Sequence, residues 1–376
     1  MSLRRRTSTS LIPRLDKISS TLVSLPAPNT CTRARGWLAR MATLAVAVVA
    51  VFTCGLQAQA AASDHASKIV PIPTLQSIGQ ALRSQDYTVE QLRRFRRPNG
   101  AVITVRERLK VDANGTKAPE FDLKFLGVEG EPTGSPVYLE WQQTYARYGS
   151  LFVRNGSFQI RDLLRASSNY TLHDFGPVVR AGRAARRMVV FPNTVDKAIW
   201  VVDIDAVTSV PLFVAEFDNQ LKLFAEIEAV QYAVGVQRIA PSASTQVATS
   251  LPDFQAANTF LGSPSGLIEP DIASVVGDYE LDTVEVFQDP INGREKLVMN
   301  YTDGIDQFMV VQTVNVQDPF AGLPGAAANT IGRFRDPAVS ALVFWEDGVS
   351  FHVAGRGSLM RLDDVARLIF RQALTN

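Results

Sequence analysis

The stretch that decides the fold runs from Asn169 to Tyr232 and reads NYTLHDFGPVVRAGRAARRMVVFPNTVDKAIWVVDIDAVTSVPLFVAEFDNQLKLFAEIEAVQY. Runs of β-branched and aromatic residues alternate in it with turn residues, a pattern typical of consecutive β-strands. Few helices interrupt the chain between Leu151 and Tyr232, which predicts an antiparallel sheet, curved or partly closed to manage its edges. The predicted strands are Leu151–Val153, Ser157–Ile160, Tyr170–Leu172, Arg187–Phe191, Ala198–Asp203, Leu212–Phe217 and Leu221–Gln231.

Upstream of this stretch, the sequence predicts a β-hairpin between two helices. The turn residues Asp112 to Gly115 separate two runs in which apolar and charged residues alternate, so that one face is apolar. A short amphipathic helix is predicted over Thr74–Arg83, and a second over Pro136–Tyr148, opened by its proline. An aromatic stripe on the second helix either packs on the sheet or lines a lipid-sized pocket. The stripe consists of Tyr138, Trp141, Tyr145 and Tyr148.

Downstream, a second β-rich unit follows a segment that is rich in Ser, Thr, Ala and Pro. This segment, Gln237 to Phe254, is predicted to be a linker. Beyond it the sequence predicts further strands, a closing hairpin over Ala341–Ala354 and a C-terminal helix capped by Ser358. The predicted organisation is a leader at 1–60, a first domain at 61–236, a linker at 237–254 and a second domain at 255–376.

The N-terminal residues predict export across a membrane. Eight basic residues and the single acid Asp16 precede sixteen uncharged residues, Met41 to Leu56, and the small-x-small triplet Ala58-Gln59-Ala60 follows. A signal peptide cleaved near Ala60 is the expected interpretation. An uncleaved anchor is disfavoured because a membrane span needs about 20 apolar residues. Lipidation at Cys54 is disfavoured because Thr53 stands where a small residue is normally found.

Removal of the leader changes the charge and the cysteine content. The chain has 38 basic and 37 acidic residues; without the eight basic residues and one acid of residues 1–60, 30 and 36 remain. A net charge near −6 lacks the basic surface that nucleic-acid binding requires. Cys31 and Cys54 both lie in the leader, so the exported chain has no thiol for disulfides, metal binding or catalysis.

Chemical motifs are scarce in the exported part. His65, His173 and His352 do not pair at metal-ligand spacing, and no calcium loop or phosphate-binding loop is recognisable. The segment Gly262–Gly266 looks like a nucleophile elbow, but proline occupies the position of the serine. Acids such as Asp203 and Asp205 are interpreted as solvated charges at strand ends. The sequence therefore predicts no metal, no cofactor and no enzymatic activity, although a triad formed only in space would not be visible.

Six short motifs occur in one order along most of residues 70–376, and together they resemble a known family. They are Tyr170-Thr171-Leu172, Arg180 to Ala185, Ile199 to Asp203, Thr208 to Leu212, Asp218 to Phe224, and Tyr301 to Ile305. The corresponding family patterns read Y-x-L, V-A-G-R-x-A, L-W-L-D, T-G-L-P-L, D-x-x-G-x-x-L-E-Q-F and Y-S-D-G-L. The family is that of MucB/RseB, periplasmic regulators of an envelope-stress sigma factor. Ser209 departs from the pattern, because the family carries a turn glycine there.

The resemblance implies a fold and a set of ligands. It implies an α+β, mostly antiparallel protein, with a first domain similar to the lipoprotein carrier LolA, an open β-barrel with helices against its concave apolar face. A smaller α+β domain follows. The candidate hydrophobic cavity, if the face is not simply filled core, is formed by Ile103, Val105, Phe121, Leu123, Phe125, Trp141 and Tyr145.

The functional hypotheses follow from this resemblance. The leading one is a periplasmic regulator that binds the periplasmic segment of an inner-membrane anti-sigma factor and senses a lipidic signal of envelope stress. The alternative is a LolA-like periplasmic carrier of lipids or lipoproteins. A third, a hydrolase without a recognisable motif, is kept as a separate class. No nucleic-acid partner is expected.

Overall fold

The computed structural model describes residues 68–69, 72–96, 100–113, 120–156, 158–194, 197–218, 221–235, 248–288, 293–314, 332–335, 340–346, 348–355 and 359–374. These residues form two antiparallel sheets with helices, which matches the predicted α+β, mostly antiparallel class. They belong to one compact unit of the chain. The predicted signal peptide and both cysteines lie outside the described residues.

The first sheet has nine strands in the order β1-β5-β6-β7-β8-β9-β2-β3-β4, and every neighbouring pair is antiparallel. The sheet is open, because β1 and β4 are its edges and do not pair with each other. We call the described residues 68–235 the first lobe. Its strands are β1 (Lys68–Ile69), β2 (Tyr87–Arg96), β3 (Val102–Asp112), β4 (Glu120–Val128), β5 (Tyr170–Arg180), β6 (Arg183–Pro192), β7 (Ile199–Asp205), β8 (Pro211–Phe217) and β9 (Leu223–Val234).

Three helices belong to the first lobe: α1 (Ile72–Ser84), α2 (Pro136–Gly156) and α3 (Leu163–Asn169). The start of α2 is capped by the Ser135 hydroxyl, which accepts a hydrogen bond from the backbone N–H of Tyr138 at 3.2 Å. The start of α3 is capped by the Asp162 carboxylate, which accepts from the backbone N–H of Arg165 at 3.0 Å.

Two of the predicted strands are wrong, and four real strands were missed: Lys68–Ile69, Tyr87–Arg96, Ala248–Leu251 and Gly332–Arg335. Leu151–Val153 belongs to α2, because buried Val153 lies two turns after buried Tyr145 and continues the same helix face. Residues 158–160 of the predicted strand Ser157–Ile160 form no strand. Among the missed strands, Tyr87–Arg96 has alternate residues buried, although its three arginines and one glutamate suggested a polar connection.

The second sheet has seven strands in the order β10-β11-β12-β13-β16-β15-β14. We call the described residues 248–374 the second lobe. Strand β10 lies inside the segment that was predicted to be a linker. The domain boundaries remain a prediction. The predicted cap Ser358 lies outside the described residues. The strands are β10 (Ala248–Leu251), β11 (Glu280–Gln288), β12 (Glu295–Thr302), β13 (Gln307–Thr313), β14 (Gly332–Arg335), β15 (Ser340–Glu346) and β16 (Val349–Gly355), with the helices α4 (Phe254–Phe260) and α5 (Leu359–Ala373).

The core of the second lobe is self-contained. Its buried cluster draws only on residues between Phe254 and Ile369, and the apolar side of α5 contributes Leu362, Val365 and Ile369 as the sequence predicts. At one end of this core, a Cβ added to Gly355 would lie 2.7 Å from Cβ of Phe308. Close packing of this kind leaves no room for a larger residue.

Three turns of the first lobe hold non-glycine residues in the left-handed backbone region. Ala181 has φ 48°, Ser209 has φ 60° and Leu221 has φ 63°. Ser209 and Leu221 occupy positions where the family patterns quoted above carry glycine, the residue that adopts this conformation most easily.

Candidate functional site

The seven predicted cavity residues lie on one side of the first lobe, on β3, β4 and α2. Trp141 stacks on Phe95 with ring centroids 5.1 Å apart, and Phe125 lies 5.4 Å from Tyr145. Six of the seven belong to this aromatic cluster, whereas Phe121 packs on the neighbouring cluster around Tyr87 and Leu109. The six are Ile103, Val105, Leu123, Phe125, Trp141 and Tyr145.

A small opening lies beside this face. A cavity of about 30 Å³ is lined by side chains that include Tyr87, Gln91, Phe121 and Gln159. This volume accommodates about two water molecules. Whether the side chains of the predicted site form a cavity that binds a lipid stays a prediction.

A buried polar cluster lies in the middle of this apolar face. The Glu107 carboxylate, fully buried, accepts hydrogen bonds from Arg93 Nε at 3.0 Å, from Gln91 Nε2 at 2.5 Å and from the Tyr145 hydroxyl. Arg93 Nη2 lies 2.8 Å from the same carboxylate, and both side chains are almost completely buried. Tyr145 comes from α2, so the cluster connects the helix to the sheet.

The geometry of β2 and β3 places these polar groups inward. Gln91 and Arg93 lie on the same buried face of β2 as Tyr87, Val89 and Phe95, and Gln91 is the cross-strand partner of Glu107. Register shifts occur beside both members of this pair, at Glu90/Gln91 and at Arg106/Glu107. Bulges redirect side chains and are typical of functional positions. Sequence reasoning missed the cluster, although Glu107 lies between Val105 and Leu109 at alternating positions and therefore on the apolar face of the same strand.

The electrostatics of the cluster keep Arg93 charged. Burial alone would lower the pKa of Arg93, but the Glu107 carboxylate and Tyr145 more than offset this, so the pKa lies above its ordinary value. Burial, together with the negative charge of Glu107, holds the pKa of Tyr145 well above its usual range. Tyr145 therefore stays a hydrogen-bond donor and Glu107 its acceptor.

Two acids interpreted as solvated charges are in fact buried and paired. Asp203 accepts from Arg187 Nε at 2.8 Å and from Arg180 Nε at 2.5 Å, and Asp205 accepts from Arg183 Nε at 2.5 Å. Burial alone would raise the pKa of Asp205, but Arg183 and nearby backbone N–H groups lower it overall. These arginines flank the β5–β6 turn, so the motif Arg180–Ala185 is joined to the motif Ile199–Asp203.

The remaining titratable candidates form no metal site among the described residues. Burial and, secondarily, Lys296 lower the pKa of His352 to about 4, and burial lowers the pKa of His173. His65 lies outside the described residues. No helix in the described part of the chain is long and apolar enough to cross a membrane.

Comparison with known proteins finds similarity at the level of solved structures. No family model matches the chain, and no curated protein matches it. The chain is similar to the crystal structure of MucB, with 17% identity, a TM-score of 0.46, and coverage of 79% of this chain and 96% of that chain. It is similar to the Pseudomonas aeruginosa MucA/MucB complex, with 17% identity, a TM-score of 0.43, and coverage of 78% and 96%. A putative outer membrane lipoprotein-sorting protein domain from Vibrio parahaemolyticus has 11% identity, a TM-score of 0.19, and coverage of 44% and 93%.

Proposed function

We propose that the exported chain is a periplasmic regulatory protein that binds the periplasmic segment of an inner-membrane anti-sigma factor. In this role it protects that segment from proteolysis until a lipidic signal of envelope stress releases it. Binding, and not catalysis, is the activity proposed.

The observation that carries the proposal is the ordered set of six motifs, which resembles one family of sigma-factor regulators across both lobes. Two features of the described residues support it. Ser209 and Leu221 have a positive φ at two positions where the family patterns carry glycine and this chain does not. In addition, Arg180 of one motif forms an ion pair with Asp203 of the next, so the motifs contact each other in space.

A binding assay tests the regulatory role. The exported chain is mixed with the purified periplasmic segment of the anti-sigma factor encoded nearest to its gene, and binding is measured by calorimetry. We expect a stoichiometric complex and slower cleavage of the segment by its protease. An absence of binding to every anti-sigma segment of the source genome would refute the proposal.

A second assay tests the lipidic signal at the aromatic face. Lipid that co-purifies with the chain is extracted and quantified by mass spectrometry for wild type, Phe125→Ala and Lys124→Ala. Phe125 is part of the aromatic cluster, whereas Lys124 is its exposed neighbour on the opposite face of β4. We expect Phe125→Ala alone to change the amount of bound lipid, because only this side chain contacts the predicted cavity residues.

The carrier function gives a different pattern in the same assays. A carrier would hold lipid in the first lobe without binding any anti-sigma segment.

A further inference from the structure

The connection between β12 and β13 reaches from the second lobe into the first. The carbonyl oxygen of Gly304 accepts a hydrogen bond from the backbone N–H of Arg161 at 2.8 Å, and the Asn169 side-chain amide donates to the carbonyl of Asp303 at 2.9 Å. Ile305 is buried in the core cluster of the first lobe, although it belongs to the second sheet's hairpin. We call residues Thr302–Asp306 the latch.

Glycine is required at the tip of the latch. Gly304 has φ 107°, and a Cβ at this position would lie 2.2 Å from the backbone nitrogen of Ala166. The atom in the way is backbone of α3, which has no rotamer to relieve the overlap. Any side chain at residue 304 therefore prevents the latch from seating against α3.

A buried ammonium group joins the lobes beside this tip. Lys197 Nζ, in the first lobe, lies 2.7 Å from the Asp303 carboxylate and 2.5 Å from that of Asp278, both in the second lobe. The side chains of Lys197 and Asp303 have no exposed surface. The Tyr170 hydroxyl donates at 2.8 Å to Oδ2 of Asp303, the same oxygen that Lys197 contacts, and Oδ1 accepts from the backbone N–H groups of Ile305 and Asp306.

The kinds of contact between the two lobes determine how easily the lobes separate. Several contacts that join the lobes around the latch are polar, including the ion pairs Arg161–Asp282 at 3.4 Å and Arg165–Glu280, and Lys197 Nζ also lies over the ring of Tyr279. Each lobe has its own apolar core. A buried ion pair loses its mutual attraction when it separates but regains hydration, so its net contribution is small compared with an apolar core. Interfaces between domains of this polar kind permit relative motion.

We propose that the latch is a release device. It holds the two lobes in one arrangement while Lys197 pairs with Asp278 and Asp303. When these ion pairs break, the lobes separate as intact folded units. Docking requires Gly304 for space and Lys197 for charge. The folding of each lobe requires neither.

Small-angle scattering and calorimetry on the exported chain test the proposal with Gly304→Ala and Lys197→Met. We expect wild type to unfold in one transition, with a radius of gyration near 20 Å or somewhat larger for a chain of this length. Both variants should unfold in two separate transitions, with a radius of gyration increased by roughly a tenth or more and an unchanged far-UV circular dichroism spectrum.

Two controls make the outcome decisive. Gly348→Ala introduces a side chain at a similar positive φ of 80° with open space around it, and it should keep one transition and the wild-type radius. Tyr170→Phe removes only one hydrogen bond to Asp303 and should show a smaller change in the same direction. An unchanged radius of gyration in Gly304→Ala and Lys197→Met would overturn the proposal. So would a loss of the circular dichroism signal in Lys197→Met and Tyr170→Phe, because the contact would then be part of the folding core.

Discussion

Replacement of Glu107 by glutamine tests the buried cluster between sheet and helix. Glu107→Gln keeps the size of the side chain and removes its charge, while the guanidinium of Arg93 stays protonated. Arg93 then carries a positive charge at a site with almost no exposed surface. Removal of one partner from a buried ion pair typically destabilises a protein by about 3–5 kcal/mol. We expect the free energy of unfolding to fall by an amount in this range.

A double variant separates the charge effect from the packing effect. In Arg93→Met/Glu107→Leu both charges are replaced by apolar groups of similar volume, so no buried charge is left without a partner. Such replacements are often neutral or stabilising by about 1–4 kcal/mol. The double variant should therefore be more stable than Glu107→Gln by about 2 kcal/mol or more. Only coupled residues show such a non-additive effect.

Urea unfolding, followed by circular dichroism and by tryptophan fluorescence, measures these differences. Glu90→Gln is the matched control, because Glu90 pairs with Arg106 and Arg108 on the exposed face of the same hairpin. An exposed pair contributes about 0–1 kcal/mol. A destabilisation of Glu107→Gln no larger than that of Glu90→Gln would refute the conclusion that Arg93 depends on Glu107 inside a dry face.

Three further predictions concern other positions. Burial lowers the pKa of His352 to about 4 in the folded chain, whereas the value in the unfolded chain is about 6.5. The stability that neutral His352 contributes is therefore complete above pH 6.5 and is lost as the pH falls toward 4. His352→Gln should reduce the acid destabilisation of wild type by up to about 3 kcal/mol, measured by urea titrations at both pH values. Leu221→Gly should raise the free energy of unfolding by about 0.5–1 kcal/mol, because glycine adopts φ 63° without strain; a lower melting temperature would contradict this. Gly355→Ala should lower the melting temperature more than Gly348→Ala, since overpacking costs about 1–3 kcal/mol, and equal shifts would show that the core relaxes around the added methyl group.

The sequence predicted the parts of the fold that depend on local alternation. The hairpin faces at Val105, Leu109 and Leu123, the strand over Ile199–Asp205 and the helix Leu359–Ala373 follow from periods of two and of about four residues. These periods report which side of an element is apolar, and a single sequence contains them directly. The class of the protein was therefore predictable before its topology.

The missed features depend on partners that are distant in the chain. Arg93 points inward because its guanidinium pairs with Glu107 of the neighbouring strand, fourteen residues later. A strand with several arginines has the composition of an exposed segment. Asp203 is buried because Arg180 and Arg187 converge on it from other strands. Periodicity describes one element at a time, so it assigns a charge to solvent unless the neighbouring element is known.

The contact between the lobes shows the same limit at longer range. The motif Tyr301–Ile305 was recognised as part of a family pattern, but its role was not visible, because Lys197 and Tyr170 lie more than 100 residues earlier. An aspartate-glycine pair at a hairpin is ordinary turn chemistry. Only the position of Ala166 under Gly304 explains why this turn has no room for a side chain.

Buried charge occurs at two joints of this molecule, between sheet and α2 and between the two lobes. An apolar joint that separated would expose a contiguous apolar patch, which promotes association with other proteins. A joint closed by ion pairs exposes groups that water hydrates well, so it opens without that consequence. In a protein proposed to take up and release a partner, we therefore expect the joint at Lys197 to open more readily than the joint at Glu107, which the aromatic cluster of Phe95, Phe125 and Trp141 surrounds. The Glu107 variants perturb the first joint and the Lys197 variant perturbs the second, so unfolding and scattering measurements on both sets assign the movement to one joint or the other.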